Sequence, residues 1–244
     1  LRMRSVLVCL LLVAGSSASL IQLKKMSDDF YKFAMLNVDP PKSNSAVSQQ
    51  ICLDPNWNMC QAKWSVSLGL ADTVDWTQAD QLQQAIMNLT NGNVNDVMTT
   101  CDNFQQFYAC LGAQYTSCTS LFNLLPRTDD SDVNQAYTYV ELIHSVDFMC
   151  NAGFEEAVNQ FLCLKKIPVS SPDYQACMDQ FMYTAGQNTA QFCSSVNTTG
   201  LCLNDAYKKG CPNVDSKGAG WFGCESFREA FEDTCHETTR CYVH

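Results

Sequence analysis

Apolar side chains recur at three- and four-residue intervals along most of this chain, the spacing that gathers them on one face of an α-helix. Phe154, Ala157, Val158, Phe161 and Leu162 form one stripe, and Tyr174, Met178, Phe181, Met182 and Ala185 form a second. Val97, Cys101, Phe104, Tyr108 and Leu111 make a third, and Phe227, Ala230, Phe231 and Thr234 a fourth. Helix-breaking residues punctuate the pattern at Pro126, Pro168-Val169-Ser170-Ser171-Pro172, Asn91-Gly92-Asn93 and Gly218-Ala219-Gly220, and Ser171 or Asp173 is placed to start the helix that follows. Trp64 to Leu70 alternates strictly between apolar and polar residues, which predicts a short strand or extended loop. A single strand makes no sheet, so the pattern predicts an all-α fold, a disulfide-rich bundle of about seven or eight helices with an internal duplication.

Composition places this bundle outside the cell. Fifteen cysteines among 244 residues exceed cytosolic usage, and 46% hydrophobic residues suffice for a sizeable core. A net charge of -10 disfavours nucleic acid and anionic membrane surfaces as partners. Met3-Arg4-Ser5, the apolar run Val6 to Ala14 and the small residues Ser16-Ser17-Ala18 have the order of a secretory signal peptide over residues 1–18, cleaved after Ala18. No later stretch is apolar enough for a membrane span. Loss of that leader removes Cys9 and leaves Cys52, Cys60, Cys101, Cys110, Cys118, Cys150, Cys163, Cys177, Cys193, Cys202, Cys211, Cys224, Cys235 and Cys241, an even number that predicts up to seven disulfides with no free thiol. Their connectivity is not fixed by sequence. No C-x2-C pair suggests zinc. The sequons Asn88-Leu89-Thr90 and Asn197-Thr198-Thr199 lie beside turn-forming residues and are expected glycosylation sites.

Comparison of the two halves reveals a repeated order. Cys101-x8-Cys110-x7-Cys118 is followed by Phe148-Met149-Cys150, Phe154-Glu155-Glu156-Ala157 and Cys163. Cys193-x8-Cys202-x8-Cys211 is followed by Phe222-Gly223-Cys224, Phe227-Arg228-Glu229-Ala230 and Cys235. This alignment divides the mature chain into an N-terminal helical segment over 19–96 packed on the repeats, a first repeat over 97–177 and a second over 178–244. Positions nine apart on a helix point in nearly opposite directions, so Cys101 and Cys110 must bridge to two different neighbours. Cys224 and Cys235, eleven apart, share a face, which suits two bridges to one partner helix.

The recurring Cys-x8-Cys-Leu at Cys101 to Leu111 and Cys193 to Leu203, with the later Phe-x-Glu-Ala, resembles the secreted, cysteine-rich helical domains of invertebrates, including a nematode-type domain family of unknown function. The resemblance covers residues 97–241 and implies an extracellular helical module without assigning an activity. Secreted copepod luciferases are similar in architecture alone.

Sites for chemistry are few. No G-x-S-x-G, H-E-x-x-H, phosphate-loop or dinucleotide motif occurs. Glu141, His144 and Asp147 follow one helical face, so a carboxylate is placed to orient His144 as a base, and His236 is a further histidine candidate. The plainer reading is a polar helix face. Asp130, Asp132, Asn134 and Glu141 match the spacing of calcium-loop ligands, but Gln135 stands where that loop needs glycine. The competing reading is a capping box, Asp132 with Gln135, at a helix start. Trp57, Trp64 and Trp76, or Met178, Phe181, Met182 and Tyr183, are placed to line a pocket for a hydrophobic small molecule, though such clusters usually form core. The expected function is a binding or structural role outside the cell, with no cofactor, and with a hydrophobic small molecule or another extracellular protein as partner. The alternative is a secreted cofactor-free enzyme acting on a hydrophobic small molecule, for example by luciferase-type oxygenation. A closed cavity containing His144 or His236 with a carboxylate would favour that alternative.

Overall fold

A computed structural model describes residue 20 and residues 51–129, 132–187, 189–213, 215–235 and 240–242 of the chain. Among these residues there is no strand, and seven helices of at least twelve residues build the molecule: α1 (Asp54–Ser67), α2 (Ala79–Thr90), α3 (Val94–Leu111), α4 (Val133–Cys150), α5 (Pro172–Gln187), α6 (Phe192–Gly210) and α7 (Ser216–Ala230). Local chemistry starts several of them. Asn93 and Asp96 form a reciprocal capping box on α3, with Asn95 N donating to Asn93 Oδ1 at 2.8 Å and Asn93 N to Asp96 Oδ2 at 2.9 Å. Ser171 Oγ accepts from Tyr174 N at 3.2 Å ahead of Pro172, and Asp215 Oδ1 accepts from Lys217 N and Gly218 N.

Helix α4 is central. Fourteen of its eighteen residues are buried, because α2, α3 and α7 all pack on it. It runs antiparallel to α7, since Phe148 meets Trp221 and Phe222 while His144, one turn earlier, meets Glu232 and Asp233 just beyond the end of α7. Trp64, Phe104, Phe107 and Tyr115 interlock on one side of the core, where Trp57 packs on Trp76 and Tyr139, and Phe181, Phe192, Phe227 and Phe231 interlock on the other. Trp57 and Trp64 are thus core residues rather than pocket walls, and Tyr183 points outward at 67% exposure.

All fourteen cysteines from Cys52 onward are bridged, in two sets that never cross. The first contains Cys52–Cys118, Cys60–Cys110 and Cys101–Cys150. The second contains Cys163–Cys211, Cys177–Cys202 and Cys193–Cys235, and adds Cys224–Cys241. In each set the central helix carries the x8-spaced pair, which reaches forward with its first cysteine and back with its second, as opposite helix faces require. The sets match in order, but in a different register from the sequence alignment. Cys52 and Cys60 correspond to Cys163 and Cys177, Cys150 corresponds to Cys235, and Cys224 has no counterpart. The bridges therefore divide the chain between Cys150 and Cys163 and draw α1 into the first set. Cys224 and Cys235 do not share a partner helix, since Cys224 holds the C-terminal segment and Cys235 holds α6.

Three local expectations are also corrected. Trp64 to Ser67 continues α1 instead of forming a strand, because the buried face of that helix includes the polar Gln61 and Ser65. Gln61 Oε1 accepts from the Tyr139 hydroxyl at 2.6 Å and Ser65 Oγ donates to Val74 O at 2.7 Å, so buried polar groups mimic alternation. The Phe154 to Leu162 stripe breaks at Gln160 into helices Phe154–Asn159 and Phe161–Leu164, leaving Leu162 at 66% exposure. Gly218, Ala219 and Gly220 lie inside α7 instead of separating helices; the missing side chain of Gly220 lets α7 approach α6 closely, while Gly218 faces Glu156 of the helix Phe154–Asn159.

That approach is testable. A Cβ on Gly220 would lie 2.8 Å from Asn204 O, a backbone atom on α6 that cannot swing away. Gly220→Ala gains helix propensity of about 1 kcal/mol, but overpacking costs about 1–3 kcal/mol, so the melting temperature should fall. Gly186→Ala in α5, where a Cβ meets nothing within 4 Å, should raise it. Thermal denaturation of both variants checks the pair of signs.

Candidate functional site

Two features on the facing surfaces of α4 and α7 carry most of the molecule's unusual chemistry. The first is charged. His144 presents Nδ1 to Glu232 Oε2 at 3.6 Å and Nε2 to Asp233 Oδ1 at 3.5 Å, with the imidazole 20% exposed. Carboxylates only accept, so both ring nitrogens keep their protons in this geometry. Burial disfavours the cation, but Asp233 and Glu232 outweigh burial and hold the imidazole pKa up to about 10. Reciprocally, the imidazolium holds Glu232 below the usual carboxylate range, and overcomes the effect of burial to do the same for Asp233. Asp233 Oδ2 also accepts from Leu121 N at 2.6 Å, which joins this end of the bundle to the short helix Leu121–Leu124 that precedes α4.

The network continues along α7. Arg228 Nε donates to Glu225 Oε2 at 2.5 Å and its other nitrogen reaches Glu229, with Glu225 and Arg228 both buried. Glu225 Oε1 accepts from Cys241 N at 2.9 Å, so the buried pair clasps the same segment that the Cys224–Cys241 bridge ties down. Burial and the neighbouring Glu232 push Glu229 up to about 7.

The expected alignment of His144 with its own helix's acids does not form. Glu141 is buried, 5% exposed, and burial pushes its carboxyl up to about 8. Asp147 accepts from the Tyr115 hydroxyl at 3.0 Å and from Asn151. The partners of His144 come instead from Glu232 and Asp233, far along the chain, and only the antiparallel packing of α4 on α7 brings them there. No local spacing could have signalled them. An imidazole protonated up to about pH 10 has no free lone pair at neutral pH and cannot serve as a general base. His236 lies outside the described residues.

The calcium arrangement also fails. Asp130 lies outside the described residues, while Asn134 and Glu141 both sit within α4, seven positions or about 10 Å apart along its axis, too far to share one cation. Among the described residues, no group of three or more His, Cys, Asp or Glu side chains could hold a metal ion. The capping box is not formed either. Asp132 precedes α4 without a side-chain cap bond, and Gln135 reaches across to α2, accepting from Asp80 N at 3.1 Å and donating to Asp80 Oδ2 at 2.9 Å.

The second feature is a small cavity of about 40 Å³ between α4, α5, α6 and α7. Met149, Leu203, Phe222 and Phe227 give it apolar walls, and the buried side chain of Leu20 closes one part. Tyr174 and Tyr207 also line it, 7% and 4% exposed. Burial keeps both phenols neutral, raising Tyr174 to about 12 and Tyr207 well above its ordinary value. Neither hydroxyl is hydrogen-bonded to a described residue, and neither is fully shut off from solvent. His144 does not line this space.

A scan against protein-family models and searches of curated proteins and of solved structures find no match to this chain.

Proposed function

We propose that this protein is a secreted, disulfide-stabilised binding module that accepts a small, neutral, mostly apolar molecule bearing an oxygen, between α4, α5, α6 and α7. The observation that supports this reading is the small apolar cavity whose wall includes the largely buried Tyr174 and Tyr207. A phenol at the wall of an apolar space can donate to a ligand oxygen and fix its orientation. A single water needs roughly 10–15 Å³, so the cavity as it stands holds little, and a ligand takes the space now filled by the Leu20 side chain. The seven bridges, and the absence among the described residues of a helix long and apolar enough to cross a membrane, support an extracellular location. The locked state of His144 favours binding over catalysis.

Displacement of an apolar fluorescent probe by medium-chain alcohols and ketones should be saturable with the oxidised full chain. Tyr207→Phe removes one hydroxyl and should weaken oxygenated ligands by roughly 2- to 12-fold, the value of one hydrogen bond, while leaving hydrocarbon binding unchanged. Leu20→Ala should strengthen both. The absence of saturable binding in both wild type and Leu20→Ala would overturn the reading.

A further inference from the structure

A wide, open depression lies away from that cavity, along α2. It is a groove of about 600 Å³ between α2 and the turn that follows α1. Leu68, Leu70, Ala85 and Leu89 supply its apolar surface, while Gln81 and Gln84 bring amides that can both donate and accept. Gly69, at φ 80°, makes the turn that forms one wall. Asn88, the acceptor of the first sequon, lies in the groove itself.

We infer that Asn88 carries an N-linked glycan and that its first sugars lie back into this groove. The mixed lining suits a sugar ring, whose C–H face packs on leucine and whose hydroxyls and acetamide bond to glutamine amides. The size falls within the roughly 300–1,000 Å³ usual for small-molecule sites. Asn88 is already aimed, because Gln84 Nε2 donates to Asn88 Oδ1 at 2.9 Å. That bond uses the carbonyl oxygen and leaves Nδ2 for the sugar, so attachment does not break it. In the modifying step, Nδ2 loses a proton and bonds the anomeric carbon of a lipid-diphosphate-linked oligosaccharide, and the lipid diphosphate leaves.

The order of events follows from the last sequon residue. Thr90 is fully buried and its hydroxyl donates to Ile86 O at 2.8 Å, closing α2. The folded protein hides this hydroxyl, so the sugar is added before α2 packs, and folding then seats it. Asn197, by contrast, lies in the middle of α6 and beside no turn, against the expectation from sequence.

The test uses the full chain secreted from eukaryotic cells with high-mannose glycans. Site-resolved peptide mass spectrometry should find Asn88 occupied, and an unmodified Asn88 overturns the proposal. After endoglycosidase trimming to one sugar, wild type should melt about 2–4 °C above identically treated Asn88→Gln. Amide exchange over 79–90 should also be slower in wild type. Gln81→Ala should shrink the difference. Occupied Asn88 with equal melting and equal exchange would show a sugar that projects freely into solvent, and would sink the groove assignment. Because Asn88 is exposed, loss of its side chain leaves the fold available for comparison.

Discussion

Reductant is expected to abolish the helical far-UV dichroism of this protein at moderate temperature, while added salt changes it little. The seven bridges close segments of 66, 50, 49, 48, 25, 42 and 17 residues. In the chain-entropy model, closing loops of that size restrains the unfolded state by roughly 3–4 kcal/mol each when counted alone. Nested pairs such as Cys60–Cys110 within Cys52–Cys118 restrain it less than their separate values add to, since the outer bridge has already drawn the inner ends together. Even so, loss of several exceeds the about 5–15 kcal/mol by which a domain stays folded. With only 16% charged residues, ion-pair networks offer little compensation. Helicity that survives verified complete reduction would show that packing alone holds the bundle.

The second large effect is alkaline destabilisation, relieved by one substitution. Glu141 has its carboxyl raised to about 8 by burial, against an ordinary value of 4.5. The unfolded chain releases that proton above pH 4.5 while the folded chain retains it, so this stability is complete below 4.5 and is lost as pH rises through 8. His144, raised to about 10, has the same sign, with stability complete below 6.5 and lost through 10. Glu232 and Asp233, held low chiefly by His144, act oppositely and are lost in acid. Melting temperature should therefore peak in mildly acidic solution and fall towards pH 10. Glu141→Gln keeps the shape of the neutral acid and cannot ionise. At pH 8 it should be more stable than wild type by roughly 2–5 kcal/mol, because each tenfold difference in proton affinity between folded and unfolded chain is about 1.4 kcal/mol, with no difference at pH 4. Melting temperatures of wild type and variant across this pH range check the point, and curves of equal slope would refute it.

Helix content was legible in the sequence because apolar periodicity and capping residues act locally. The stripes at Val97 to Leu111 and Tyr174 to Ala185 became α3 and α5, and Ser171 is a cap. Reading failed where burial was polar, as at Gln61 and Ser65, because hydrogen bonds to distant Tyr139 and Val74 satisfy those side chains. The order of cysteines revealed a repeat, but its register did not emerge until the pairs were known. Cys52 fell in the N-terminal segment outside the aligned repeats, because its partner, Cys118, lies 66 positions away. The charged cluster was half legible: His144 stood out by rarity, whereas Glu232 and Asp233 join it through tertiary packing alone.

The separation of the bridges at Cys150 and Cys163 also bears on how the chain reaches its oxidised state. Six cysteines can pair in about 15 ways and eight in about 105, whereas fourteen pooled together allow on the order of 10⁵ arrangements. For a chain that enters an oxidising compartment N-terminus first, these six arrive before any of the other eight, and every correct partner for them is already present. The N-terminal set can thus finish its thiol chemistry while the rest of the chain is still being synthesised, and the pairing problem breaks into two small searches run in sequence.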